Sequence, residues 1–286
     1  MQYRIKPANL QKKILAIIER SGTSFYWAIR ILPLKKREAM FAIYAFCREV
    51  DDIADSNKSS KIKLSKLKAW RIKIDELYKN NPSNLITHAL AGPISNYNLN
   101  KKDFTAIIEG METDSVERLR MPNQAALELY CDQVACAVGR ISNTIFGVEP
   151  EQGERLAKSL GEALQLTNIL RDIYEDSQRN RVYLPKDILS RNGIDKITID
   201  ELLEHPGLSE ACSDLAKLNE AKYEQAMETI KECDAKHIQP ALIMMKIYYK
   251  LFLLLKRRGW KNYKVPVKVS KAYKIWAVAR VLIFKK

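Results

Sequence analysis

The sequence predicts an all-α protein, and three observations carry the prediction. Prolines at positions 33, 82, 93, 122, 150, 185, 206, 240 and 266 fall mostly between long segments whose apolar residues recur with the helical period. Proline is poorly tolerated inside a helix, so this spacing reads as punctuation. Few stretches alternate apolar and polar residues with the period of two that a half-buried strand requires. The composition is 47% hydrophobic and 29% charged, with ten glycines and no low-complexity tract or fixed-period repeat, which describes a globular chain with a sizeable core. At 286 residues the chain is about twice the commonest domain size, within reach of one large helical domain over residues 1–286.

The helix predicted over 34–55 follows Pro33 and runs from an apolar stretch, AMFAIYAF, into an acidic one, REVDDIAD. Helices over 62–80 and 83–91 flank Pro82, and the second stops before Pro93. A helix over 101–119 precedes Pro122, another over 123–146 follows it, and Pro150 opens a third over 151–178. Pro206 precedes the helix over 208–234, and Pro266 separates the helix over 238–258 from a shorter one near 271–283. The polar runs SNKSSK (56–61) and QRNRVYLPKD (178–187) read as connectors.

Charge is unevenly placed. The net charge is +14, and residues 235–286 hold fourteen Lys and Arg with no acid, so residues 1–234 balance to zero. A basic tail at about 260–286 on a neutral body fits anionic lipid, nucleic acid or a polyphosphate substrate, or simply a solvated basic helix. Five cysteines without a Cys-x-x-Cys pair, and no Cys/His spacing suited to zinc, are expected to be free thiols of a reducing cytosol. His88, His205 and His237 show no ligand spacing and read as surface or helix-end residues. ILAII at 14–18 is too short for a signal peptide, and no apolar run approaches the roughly 18 residues of a spanning helix. The expected location is cytoplasmic, with at most a peripheral seat on the inner face of the membrane.

Two polar stripes carry the chemistry. Tyr44, Arg48, Asp51 and Asp55 are spaced 4, 3, 4, and Gln165, Asn168, Asp172 and Asp176 are spaced 3, 4, 4, each on one helix face. If the stripes faced water, Asp would be a poor choice, being a weaker helix former than Glu and repelled by its own kind at i+4. If they face each other, carboxylates repel by about 4 kcal/mol per pair at ~4 Å and an effective dielectric of about 20. Cations would then be required. Apolar neighbours such as Leu166, Ile169, Leu170 and Ile173 favour the inward arrangement. Oxygen donors without His or Cys select Mg²⁺, Mn²⁺ or Ca²⁺, and the absence of an EF-hand loop counts against calcium. Mg²⁺ binds one or two carboxylates together with substrate phosphate, and Arg48, Arg171, Arg179 and Arg181 beside the acids suit phosphate oxygens. A diphosphate leaving group fits all of these features.

Three segments, SGTSFYWAIRILP, YAFCREVDDIAD and LTNILRDIYEDSQRNRVYLP, resemble the signatures of the squalene and phytoene synthase family, in the same order along most of the chain. The resemblance implies an all-helical isoprenoid synthase bundle around a central apolar cavity, joining two prenyl diphosphates head to head. Within the family, the first segment and the ending YYKLFLLLKRRGW most resemble the bacterial presqualene diphosphate synthases. The resemblance assigns Asp51, Asp55, Asn168, Asp172 and Asp176 to Mg²⁺, two or three ions of it with Mn²⁺ an alternative. It assigns Ser21, Gly22, Thr23, Ser24 and Phe25 to a substrate-binding turn, and Tyr44, Arg48, Gln165 and Arg171 to the diphosphates. Tyr130 matches a tyrosine of the central cavity, and Tyr248, beside Tyr249, one near diphosphate. Arg179 and Arg181 are expected to bind substrate as well. Asp52 and Glu175 lie off the stripes and are expected to be solvated or paired.

The expected reaction joins two farnesyl diphosphates to presqualene diphosphate, with Tyr44, Tyr130 or the released diphosphate as proton acceptor. Reduction to squalene would need NADPH, which the subgroup resemblance disfavours, leaving that step to downstream squalene-forming enzymes. Phytoene synthesis from geranylgeranyl diphosphate on the same scaffold is the alternative. Nucleic-acid binding would leave both aspartate stripes unexplained and is not expected. The segment KAYKIWAVARVLIF reads either as an interfacial helix or as a last helix packed on the bundle.

Overall fold

The structure is a computed structural model and describes residues 14–16, 25–195 and 198–284. In chain order the helices are α1 (Phe25–Ile29), α2 (Leu34–Asp55), α3 (Ser60–Leu77), α4 (Leu85–Tyr97), α5 (Lys101–Asp114), α6 (Gln124–Cys131) and α7 (Ala137–Phe146). They continue as α8 (Pro150–Arg171), α9 (Ile173–Gln178), α10 (Lys186–Arg191), α11 (Ile199–Glu204), α12 (Leu208–Glu232), α13 (Ala235–Arg258) and α14 (Lys271–Phe284). The only strands among the described residues are β1 (Leu119–Arg120) and β2 (Arg181–Val182), a parallel pair with Leu119 opposite Arg181. The all-α expectation holds.

The boundaries differ from the sequence reading where capping outweighs proline. A capping box between Asn84 and Thr87 starts α4, and Asn98, in the left-handed region at φ 49°, stops it. Pro93 therefore sits inside this helix rather than ending it. The segment predicted as helix over 101–119 ends at Asp114, where Ser115 bonds back to the Met111 carbonyl at 2.7 Å and the chain leaves toward β1. The helix predicted over 123–146 includes a π-helical turn at Asp132–Cys136 between α6 and α7. The helix predicted over 151–178 breaks at Asp172, which closes α8 and opens α9 at φ −102° and ψ 17°. The run read as a connector yields β2 and the start of α10, and α11 is a further helix not foreseen.

The core is continuous from α2 to α13. Phe46 is fully buried, its ring 5.6 Å from that of Trp70 on α3 and 5.4 Å from that of Phe104 on α5. Burying a side chain of this size contributes about 1.5–3 kcal/mol. Thus the apolar part of the first motif welds α2 to the bundle, leaving the acidic part at the α2 C-terminus free to serve the site. Helix α8 lies at the centre, packed against α7, the π-turn, α12 and α13. Close approach depends on Gly161, where a Cβ would lie 2.9 Å from the Cys136 backbone. A buried polar set, Asn219 donating to Thr167 and Thr167 bonded to Tyr223 at 2.9 Å, fixes the α8–α12 register.

Helix α13 corrects one expectation. It is long and apolar enough, by composition alone, to cross a membrane, although the sequence reading found no such run. Over half of that stretch is buried inside the bundle, 56%, and Met244 and Tyr248 line the central cavity, so it is a core helix here. Helix α14 lies on the outside, with Ala277 and Val281 packed against Ala28 of α1 and Ile243, Met244 and Ile247 of α13.

Candidate active site

The helices enclose a cavity of about 240 Å³ whose wall is mostly apolar, with contributions from α1, α2, the π-turn, α7, α8 and α13. Phe25, Ile29, Met40, Ile43, Leu160 and Met244 are typical of it. Its polar residues include Tyr44 from the first stripe, Gln165 and Asn168 from the second, Tyr248 from α13, and Ser142 and Asn143 from α7. The π-turn supplies Val134 and Ala135 to the wall, a placement that suits the tendency of such turns to occur at functional sites.

The end of the first stripe is tied to the chain that follows the second. Asp55, at the C-terminus of α2, accepts from Arg179 Nη1 through Oδ2 and from Arg181 Nη1 through Oδ1, both at 2.8 Å. Both arginines follow α9, so the connector after the second stripe is pinned to the end of the first. The pinning has a local cause. Asn180 adopts the left-handed region at φ 58°, letting both flanking arginines reach one carboxylate, and its side chain donates to Glu117 at 2.9 Å. The β1–β2 pairing then fixes Arg181, which is 6% exposed and also donates to the Ala54 and Asp114 carbonyls.

Asp114 is a site residue that the sequence reading missed. Its carboxylate is buried, accepting from Tyr130 Oη at 2.9 Å and from Tyr183 Oη at 2.5 Å, and the two rings stack with centroids 5.0 Å apart. Burial pushes the Asp114 carboxyl up to about 6 against the pull of Arg181 and the two hydroxyls. Its only sequence signal was an acid at the end of an amphipathic helix, which usually means a solvated cap. Lys63 of α3, its pKa lowered by burial and by nearby Arg181, also belongs to this charged floor.

Asp51 is pushed up to about 6 by burial and by the neighbouring Asp55, and Asp176 to about 8 by burial and by Asp172. Asp176 has no ion pair among the described residues. Asp172 is gripped by Arg171 through two bonds of 2.6 and 2.5 Å. Arg48 spans Asp51 at 3.3 Å and Asp52 at 2.6 Å, so Asp52 is paired rather than simply solvated. Glu175 is exposed. Tyr248 lies within hydrogen-bonding reach of Arg171 and Asn168, whereas Tyr249 packs edge-on against Tyr223. Tyr130 stands on the Asp114 side of the acidic end and is absent from the wall of the central cavity, unlike the cavity position that the family resemblance suggested. Ser21, Gly22, Thr23 and Ser24 lie outside the described residues, while Phe25 is on the cavity wall.

The residues fit a hard divalent cation. Asn168 Oδ1 is buried with no hydrogen-bond partner among the described residues, an acceptor left open at the junction of the stripes. Burial holds Asp176 protonated at neutrality and makes the charged form of Asp51 costlier than usual, and a cation in the proton's place would favour the charged form of both. Among the described residues no three His, Cys, Asp or Glu side chains close into a ready cage. Mg²⁺ does not need one, because it keeps waters and binds through one or two carboxylates and substrate phosphate.

An acid-mouthed apolar cavity inside an all-helical bundle defines an enzyme of the isoprenoid synthase fold, a prenyltransferase. The chain belongs to the squalene/phytoene synthase family, whose model matches residues 18–273. It is 41% identical to the presqualene diphosphate synthase of Zymomonas mobilis, over 92% of this chain and 90% of that one. A chloroplastic phytoene synthase of an Oncidium hybrid cultivar is 31% identical, over 92% of this chain and 65% of its own length. Among solved structures, a dehydrosqualene synthase in complex with ligand superposes with a TM-score of 0.83 at 27% identity, covering 97% of this chain and 96% of its own.

Proposed function

We propose that the protein condenses two farnesyl diphosphates head to head into presqualene diphosphate, releasing one diphosphate. The observation that carries the reading is that Asp55 of α2 is bound by the arginines following α9, while Tyr44 of α2 and Gln165 and Asn168 of α8 line the same apolar cavity. Similarity to a presqualene diphosphate synthase exceeds that to phytoene synthases, which supports fifteen-carbon over twenty-carbon substrates.

In this reading Asp51, Asp55, Asn168, Asp172 and Asp176 hold Mg²⁺, which when bound neutralises charge on the departing diphosphate. Arg48, Arg171, Arg179 and Arg181 bind diphosphate oxygens, a role guanidinium forks suit better than ammonium groups. Gln165 and Tyr248 orient Asn168 and Arg171 for the same group. The apolar wall keeps water from the allylic cation left behind. Attack on that cation by the double bond of the second substrate forms the new carbon–carbon bond, and loss of a proton closes the cyclopropane. Tyr44 lines the cavity, and its hydroxyl is the proton acceptor this reading favours. Tyr130 donates to Asp114, so a proton reaching it would pass into that buried pair. A cytoplasmic location is the reading in keeping with the similar bacterial synthase.

The test is incubation with labelled farnesyl or geranylgeranyl diphosphate and Mg²⁺, without NADPH, followed by lipid extraction. Presqualene diphosphate from the fifteen-carbon substrate is expected. Phytoene from the twenty-carbon substrate, or a need for NADPH before any product forms, would replace the reading.

A further inference from the structure

The outer face of α14 has no role in the chemistry above, yet its pattern is ordered. Ala277 and Val281 point inward to α1 and α13. On the other side Ala272, Ile275, Trp276, Ala279, Leu282 and Ile283 are all exposed, at intervals of three and four residues. This is the stripe of a helix with a second apolar face, and its large members stand well out, Ile283 being 72% exposed and Ile275 53%. Large exposed apolar stripes on a soluble body mark interaction surfaces.

The chemistry of the partner follows from what borders the stripe. Lys271, Lys274 and Arg280 lie on α14, and Lys246 and Lys250 on the adjacent α13. No acid occurs from residue 235 onward, so none of these cations has a counter-charge within its own segment. Like charges are crowded together instead: Lys246 feels Arg280, and Lys274 feels Lys271, each ammonium pushed down by burial and then by its cationic neighbour. The cations also lie on aromatic faces, Arg280 at 5.1 Å from the Trp276 ring centre and Lys250 at 5.7 Å from that of Tyr273. A Trp beside an aliphatic stripe, rimmed by cations without an ion-pair partner among the described residues, matches an anionic bilayer surface, where apolar side chains enter the acyl boundary and cations meet headgroups. A polyanion such as nucleic acid would use the cations and leave the stripe without a partner, and a second copy of this chain would bring the same positive rim against itself.

We infer that α14 is a membrane-docking helix that seats the enzyme on anionic lipid with Ile275, Trp276, Leu282 and Ile283 inserted. The position gives the docking a use. Ala28 and Met244, which α14 packs against, also form part of the cavity wall, so a single layer of side chains separates the docked helix from the cavity. A product with long apolar chains and an anionic head would be released beside the bilayer.

The experiment uses the full chain and needs no assumption about the substrate. Co-sedimentation with vesicles of phosphatidylglycerol and phosphatidylcholine is compared with pure phosphatidylcholine, for wild type and for the double variant W276D/I283D. Binding to the anionic vesicles is expected, weakened by added salt and reduced roughly tenfold or more in the variant. Bromine-labelled acyl chains should quench wild-type fluorescence more than that of Trp276→Phe, which reports insertion of this indole. Activity of W276D/I283D on substrate in detergent should match wild type, separating docking from catalysis. Absence of binding to anionic vesicles, equal binding by the variant, or binding of duplex DNA in place of lipid would overturn the inference. So would a wild-type dimer in light scattering that the variant abolishes without any vesicle binding.

Discussion

Asp176 and Asp55 show how the same residue type is handled in opposite ways. Asp55 has two guanidinium partners, while Asp176 is left beside Asp172 and is pushed up to about 8. An acid whose pKa is raised on folding adds stability that is full below its unfolded value, near 3.8, and is lost as pH rises through the folded one, about 8. Metal-free wild type should therefore melt lower than Asp176→Asn above about pH 8, with the gap closing toward mild acid. Each kcal/mol corresponds to about 2–4 °C in a domain of this size. Thermal melts in chelator across that range check it, and equal curves would contradict the reading of Asp176 as an acid for which burial and Asp172 outweigh the pull of Arg181 and Arg179. Asp114 makes the complementary case. Asp114→Asn keeps the shape but weakens the bonds from Tyr130 and Tyr183, and should lower stability by about 1–3 kcal/mol in urea unfolding. At this scale part of the candidate site was legible in the sequence, because Tyr44 of the first stripe and Gln165 and Asn168 of the second all line the cavity. Asp114 and Lys63 were not legible, since their place depends on a tertiary contact with Arg181 that no local spacing encodes.

The elements explain why two stripes can share one pocket. The break at Asp172 and the left-handed Asn180 turn the second motif back toward α2, and β1 holds it there. Proline punctuation located most helices but misjudged Pro93 and the end of α5, where caps decided the boundary. The π-turn and the short helices α10 and α11 left no periodic signal, being too brief for one. Packing of α8 yields a prediction of its own. Gly161→Ala would set a methyl 2.9 Å from the Cys136 backbone, and overpacking of this kind costs about 1–3 kcal/mol. Because Gly161 also lines the cavity, substrate KM should rise with the loss of stability. Phe46→Ala, at the weld between α2 and its neighbours, should cost about 3–5 kcal/mol and remove metal-dependent activity by loosening the acidic end. Denaturant midpoints together with steady-state kinetics would check both.

Across the whole molecule, charge and apolar surface are divided by task. The body up to residue 234 is neutral overall and holds all of the chain's acids, while the remaining 52 residues carry every unit of the net +14. That division was visible in composition, but the sequence left open whether the last helix packs or faces outward. The structure gives α14 both faces: a packed inner edge and an exposed apolar outer one. The claim on which the catalytic account rests is that separate helices jointly hold one diphosphate through divalent cation. Manganese resonance in the presence of inorganic diphosphate tests this most directly, for wild type, Asp51→Ala and Asp176→Ala, each checked for folding by circular dichroism. The account predicts a bound-Mn²⁺ signal that requires diphosphate and is lost when either helix gives up its acid. A signal that survives unchanged in either variant would contradict it.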